Sequence, residues 1–544
     1  MRGSNMEKAS TVYKNGNIIT LDENNTIAEA VAVTDDTIIA VGSFNEMERY
    51  ISRNTEIIDL GGKTMLPGFY DSHSHLLSQA ANRHYVDLSA FGNDNIKSIS
   101  DCIGLLKEKA DSTPEGHWVL GLRFRDISMA ENRPLTRDDL DKVSTKHPVF
   151  VLEASSHVAY VNSYALEKSN VSESTADPDG GVFGRYAGTA TPNGIIEEAA
   201  IKYFTNAAGL KQPSPTKEDI SNVTYQYAKA GVTTANDGGT TFETLELALE
   251  AAEQNQLFTR IVVNVTCPHS GMSVKETCRR AKQYNYNKQV IFGCMKMMQD
   301  GSIQNGTAYL TKPYHNNKNG ERGYPWLEKE TLAANVIEAA ENGFAVQCHC
   351  NGDAAIDDVL DAYEAAIQRC NITDGRFTLV HAQTIRPDQL ERVKRLGIAI
   401  TFFGPHIYYY GDRHYDTYLG PERAERMNPY HEAITMCIPT TIHTDAPVFP
   451  QDPLFCIWCA VNRVTAEGRI LGQEQRISPL EALKSYTIYG AYQYHEETIK
   501  GSIESGKQAD FVILNENPLE CNPIKIKDIT VLETIVGNKQ VYKL

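Results

Sequence analysis

No stretch of the 544 residues reaches the ~18 consecutive uncharged apolar residues that a membrane span needs, so no membrane-crossing helix is expected. Positive charge is scarce. Lys and Arg number 52 against 69 Asp and Glu, a formal net charge of −17, which disfavours nucleic acid or an anionic membrane as partner. Tandem repeats and low-complexity tracts are absent, and 41% hydrophobic with 22% charged residues excludes a disordered chain. The eleven cysteines have no regular pairing, and Cys348 and Cys350 flank His349 as C-H-C, unlike the usual C-x-x-C redox spacing. Reduced thiols in a cytoplasmic protein are the expectation. The opening MRGSNMEKAS has no apolar run, which predicts no secretory signal. Residues 1–5 read as a vector-derived leader before Met6 and are set aside from the fold.

What is present begins with length. One hydrophobic core stops growing at about 250–300 residues, so 544 residues call for more than one unit. The first sixty residues alternate apolar runs with turn pairs such as Asn15-Gly16 and Asp35-Asp36, and the C-terminal stretch repeats the pattern. Residues 6–66 and 501–544 are therefore expected to build one small composite β-sandwich domain.

The middle of the chain differs. Short apolar runs at 231–238, 260–265, 292–298, 344–349, 377–382, 398–403 and 440–445 alternate with helical patterns. One such helix, 354–370, places Ile356, Val359, Leu360, Tyr363 and Ile367 on one face. Repeated β-then-α units imply a parallel sheet. With MLPGFYDSH as a first strand the count reaches eight, the number that closes a (β/α)8 TIM barrel. The barrel is expected over 67–81 and 221–500. Residues 82–220 are too long for a barrel loop and read as an inserted α+β subdomain near the mouth.

Candidate chemistry sits at strand ends. His73 and His75, two apart on a strand, face the same way and make a ready metal pair. His349 ends FAVQCH, His381 ends FTLVH and Asp445 ends TTIHTD. The C-terminal ends of barrel strands are where such enzymes keep their catalytic groups. Nitrogen and oxygen ligands of these types suit a divalent metal, Zn²⁺ above all. Lys296 lies inside the apolar run CMKMM, where an unpaired ammonium is costly. It reads either as a salt-bridge partner, for instance of Asp300, or as a lysine carbamate able to bridge two metals.

These residues carry a resemblance. PGFYDSHSHL, KMMQDGSIQ, HCNGDAAI, LVHAQ, HTDAPV, LGPERAERMNP and GSIESGKQADFVIL are similar to motifs of the amidohydrolase superfamily, and within it the YtcJ-like group that includes N-substituted formamide deformylases. The similarity spans nearly the whole chain. It implies that His73, His75, Lys296, His349, His381 and Asp445 hold one or two metals. It implies hydrolysis of an amide-like, N-acyl, N-formyl or cyclic amide C–N bond by water that the metal acidifies, with Asp445 as general base and then acid. Asp353 and Asp300 are either supports for the ligands or capping residues.

Two departures from the group are expected near the mouth and bear on substrate: Gly404-Pro405 where the group carries Gln-Pro, and His443 where it carries a small residue. His157, Asn162, Arg185, Trp326, Phe403 and His406 are candidate substrate contacts, with Phe402 and Tyr408 to Tyr410 as further aromatic lining. A small-molecule substrate, no nucleic-acid or membrane partner, and a homodimer if the chain self-associates complete the reading. Two alternatives stay open: a metal-dependent deaminase, disfavoured by Lys296 and by HCNGD around His349, and a non-catalytic scaffold of the same fold.

Overall fold

The computed structural model describes residues 7–89, 96–153, 158–178, 181–198, 200–201, 204, 214–317 and 319–544. They form two compact units, one of residues 1–80 with 216–544 and one of residues 81–215.

The larger unit is a (β/α)8 barrel. Its strands are β1 (Phe69–Ser74), β2 (Val232–Thr240), β3 (Arg260–Thr266), β4 (Val290–Met298), β5 (Val346–Cys350), β6 (Thr378–His381), β7 (Ala399–Phe403) and β8 (Thr440–His443). They lie in sequence order in one eight-stranded sheet, each parallel to the next. At the seam the Asp445 N–H donates to His73 O at 3.3 Å. Strands covered on both faces read as continuous apolar runs, and β3 (RIVVNVT) is buried from Arg260 to Val265. Two of the intervening helices start on side-chain caps, Thr241 before Phe242–Glu253 and Ser273 before Val274–Ala281. The helix Asp353–Cys370 buries Ile356, Val359, Leu360 and Tyr363 against the barrel core.

The run expected as a single first strand is split. Thr64–Pro67 belongs to another sheet, and the barrel strand begins at Phe69. Gly68 stands at the break, where the chain passes so close to Thr233 that a Cβ would come within 2.1 Å of its side chain.

Thr64–Pro67 lies in a six-stranded sheet with Asn17–Ile19 and Ile27–Ala28 on one side and Phe511–Leu514, Val531–Val536 and Lys539–Lys543 on the other. Leu66 pairs with Val512, so both chain ends share this sheet. Thr37–Gly42, Ala30–Thr34, Thr11–Lys14 and Glu56–Asp59 form a four-stranded sheet beside it.

The smaller unit carries its own six-stranded sheet, in the order Gly181–Arg185, Pro192–Glu198, Val158–Val161, Val149–Glu153, Val119–Phe124, Val86–Asp87. Helix Ile99–Asp111, capped by Ser98, packs on it through Cys102 and Leu106.

Candidate active site

β1 delivers the first two candidate ligands. His73 is fully buried and His75, just past the strand end, is partly exposed. Nε2 of each ring stands 3.4 Å from Asp445 Oδ1. Ligand atoms of the three residues all lie within 4.8 Å of one another. Asp445 Oδ1 is buried and accepts no hydrogen bond among the described residues. Two imidazole nitrogens converging on such a carboxylate oxygen make a donor set that fits a divalent cation. Gly238 on β2 makes room for the His73 ring, since a Cβ there would stand 2.2 Å from His73 Cε1. The backbone is strained here. Asp445 has φ 54° and His381 has φ 70°, left-handed conformations that cost a non-glycine residue about 1–3 kcal/mol and persist where the surroundings impose them.

The other expected ligands gather around this trio. Lys296 on β4 is buried, with Nζ 3.5 Å from His73 Nε2. It makes no ion pair among the described residues, so the alternative of a bridge to Asp300 is not what the fold builds. Burial lowers its ammonium pKa. His349 and His381, on β5 and β6, pack edge-on with ring centroids 4.5 Å apart. His349 Nε2 lies 3.0 Å from Gly301 O, so Nε2 is engaged as a donor and Nδ1 is the nitrogen left to accept or ligate. His381 Nδ1 lies 3.0 Å from His443 Nε2, which leaves Nε2.

Burial favours the neutral imidazole at His73, His349 and His381. Burial, reinforced by the neighbouring Lys296, holds His73 far below the ordinary histidine range and His349 at about 4. Burial and the adjacent His349 do the same to His381. Burial opposes ionisation of Asp445, but the His75 ring, with His443 and Lys296 behind it, keeps its carboxyl at about 2. The site therefore offers neutral nitrogen donors at His73, His349 and His381 and one anionic oxygen at Asp445.

Beside the trio opens a cavity of about 330 Å³, lined by His75, Lys296 and His349 on one side and by Met297, Met298 and Trp326 among its apolar wall. Trp326 is 54% exposed and stands at the rim. Phe403 and His406 do not line this cavity. Both are buried, with ring centroids 4.1 Å apart, and Phe403 stacks on His443. Phe402 packs into the core against Tyr430.

Two expected substrate contacts have other employment. Asn162 is fully buried in the smaller unit, where it caps helix Ser163–Lys168 by accepting from Ala165 N, accepts from Val149 N and donates to Ser144 O and His147 O. Arg185 is spent on Asp177 at 2.9 Å and on the carbonyls of Phe183 and Thr175. His157 lies outside the described residues. Asp300 caps the turn after β5 by accepting from Asn351 N and Gly352 N, with Oδ1 3.7 Å from His349 Nε2. Asp353 accepts from Thr311 N and pairs with Arg386.

Sequence reasoning missed the position of His443. It is not at the mouth but fully buried on β8, between Thr401 and His381. Its place at the end of the apolar run, two residues before Asp445, was the available signal.

Residues 56–542 match the amidohydrolase family. The chain is 28% identical to the YtcJ protein of Bacillus subtilis (strain 168), over 98% of this chain and 99% of that one. It is 26% identical to the N-substituted formamide deformylase of Arthrobacter pascens, over 97% of each. The fold is that of an uncharacterized metal-dependent hydrolase from Pyrococcus horikoshii, with TM-score 0.76, 24% identity and coverage of 94% of this chain and 99% of that one.

Proposed function

The chain belongs to the amidohydrolase family, and on that premise we propose that it is a metal-dependent hydrolase of a small N-acyl, N-formyl or cyclic amide. It is a hydrolytic enzyme acting on carbon–nitrogen bonds; the metal, the ligand set and the substrate class are the proposal. The observation that carries it is the approach of His73 Nε2 and His75 Nε2 to Asp445 Oδ1, each at 3.4 Å. His73, His75 and Asp445 hold the cation, with His349 through Nδ1 and His381 through Nε2. Lys296, which makes no ion pair among the described residues, would add an anionic oxygen ligand once its neutral amine has added CO₂ and released a proton to solvent.

A bound divalent metal, Zn²⁺ above all, supplies Lewis acidity and makes water nucleophilic at neutral pH. The protein's own groups do the rest. Asp445 accepts a proton as the water oxygen adds to the carbonyl carbon. It returns that proton to the nitrogen as the C–N bond breaks, releasing acid and amine. The apolar wall of the cavity excludes bulk water and seats the substituent carried by the amide. The name of the Arthrobacter relative supports N-substituted formamides as the first compounds to try.

The test is a screen of N-formyl, N-acyl and cyclic amides with zinc-supplemented protein, following amine release. Turnover of at least one class, lost in Asp445→Ala, supports the proposal. Equal turnover in Asp445→Ala would refute it.

A further inference from the structure

His443 sits in a run of hydrogen-bonding groups that crosses the floor of the site. Its Nε2 is 3.0 Å from His381 Nδ1 and its Nδ1 is 2.8 Å from Thr401 Oγ1. Thr401 Oγ1 is 3.0 Å from Ser72 Oγ, and Ser72 Oγ is 3.4 Å from Ile442 O. The four side chains come from β6, β8, β7 and β1, and none is more than 3% exposed. Phe403 lies over the His443 ring at 5.2 Å and 21°. The ring is therefore held at both nitrogens and on one face.

We propose that His443 is a positioning residue that fixes the tautomer and orientation of His381, so that His381 presents its Nε2 lone pair to the metal. This rests on the reading above of His381 as a residue that holds the metal.

Each link in the run carries one hydrogen, so the run has two orders. A carbonyl oxygen can only accept. In the order that uses it, Ser72 O–H donates to Ile442 O, Thr401 O–H to Ser72, His443 Nδ1–H to Thr401, and His381 Nδ1–H to His443 Nε2. His381 then has no hydrogen on Nε2 and can bind a cation. In the reverse order His443 Nε2–H donates to His381 Nδ1, the hydrogen of His381 moves to Nε2, and Ser72 gives up the carbonyl. The carbonyl end favours the ligand-ready order, and a cation at Nε2 locks it. A ligating histidine whose other ring nitrogen is anchored in this way is better oriented and more basic, and loss of such an anchor costs about 10–100-fold in metal affinity.

The experiment measures zinc affinity of the full chain by competition with a chromophoric chelator, together with the melting temperature of the metal-free protein. His443→Ala removes the anchor. His443→Gln keeps an acceptor at the Nε2 position, and Thr401→Val removes only the far acceptor while keeping the shape. The proposal expects zinc binding weakened about 10–100-fold in His443→Ala, largely restored in His443→Gln and partly weakened in Thr401→Val, with melting of the metal-free Gln and Val variants close to wild type. If His443→Ala does not fold, the zinc affinities of Thr401→Val and His443→Gln decide the matter. Wild-type zinc affinity in both His443→Ala and Thr401→Val would overturn the proposal. So would equal loss in His443→Ala and His443→Gln with both melting early, which marks a structural role. A wild-type protein that binds no zinc is a separate result: it overturns the metal reading itself before any variant is compared.

Discussion

His75 Nε2 and Asp445 Oδ1 stand 3.4 Å apart at the C-terminal ends of the first and eighth barrel strands. The two residues come from opposite ends of the barrel sequence, and only closure of the eight-stranded ring brings them together. On the proposed reading the carboxylate would both hold a cation with the histidines and accept a proton from the attacking water.

Asp445→Asn separates these duties. The amide keeps one oxygen for the cation but has no anionic site for a proton. Loss of a general base costs about 10²–10⁴ in rate, and loss of an anionic ligand adds to it. Metal content and kcat of the purified variant check this. Near-normal kcat would overturn the assigned role of Asp445.

Lys296 has no ion-pair partner among the described residues, and Nζ lies 3.5 Å from His73 Nε2. If it serves as a carbamate, Lys296→Ala loses metal and activity together, and added acetate restores part of both. Elemental analysis with and without acetate reads the outcome. Full metal content and near-normal kcat in Lys296→Ala would exclude the carbamate.

Gly238→Ala should displace His73, because the new Cβ meets both the ring and Ser74 O at 3.1 Å, and that backbone oxygen cannot swing away. A shift of the first ligand lowers metal affinity by at least the ~10-fold typical of lost ligand support. Chelator competition measures it. Unchanged affinity would show that the pocket around His73 is loose.

Arg260, at the start of β3, makes a two-pronged ion pair with Asp510, at 2.9 and 3.1 Å, and both are nearly fully buried. Asp510 also accepts from Gly537 N at 2.7 Å. Asp510→Ala strands a buried guanidinium and should cost about 3–5 kcal/mol. Urea unfolding gives the value, and kcat per folded molecule should stay at the wild-type level.

The barrel was legible because each strand is a short apolar run that stops at a polar residue. Seven of the eight runs read from sequence overlap the strands β2 to β8, while the first is divided at Gly68 between two sheets. His73, His75 and Asp445 were legible for the same reason, since a polar residue at a strand end points to one face of the barrel. His443 was not, because its partners Thr401 and Ser72 are neighbours only across strands. Asn162 and Arg185 are less legible, because a polar residue in a loop-rich insertion looks the same whether it contacts a ligand or caps a helix. In the fold both make hydrogen bonds to nearby backbone.

The most direct test of the account is the dependence of amide hydrolysis on bound metal. Protein dialysed against a strong chelator should lose its divalent ion by elemental analysis and lose turnover of its best N-formyl or N-acyl substrate, and Zn²⁺ should restore both in wild type but not in His73→Ala. Undiminished hydrolysis by metal-free protein, or equal restoration in His73→Ala, would contradict it.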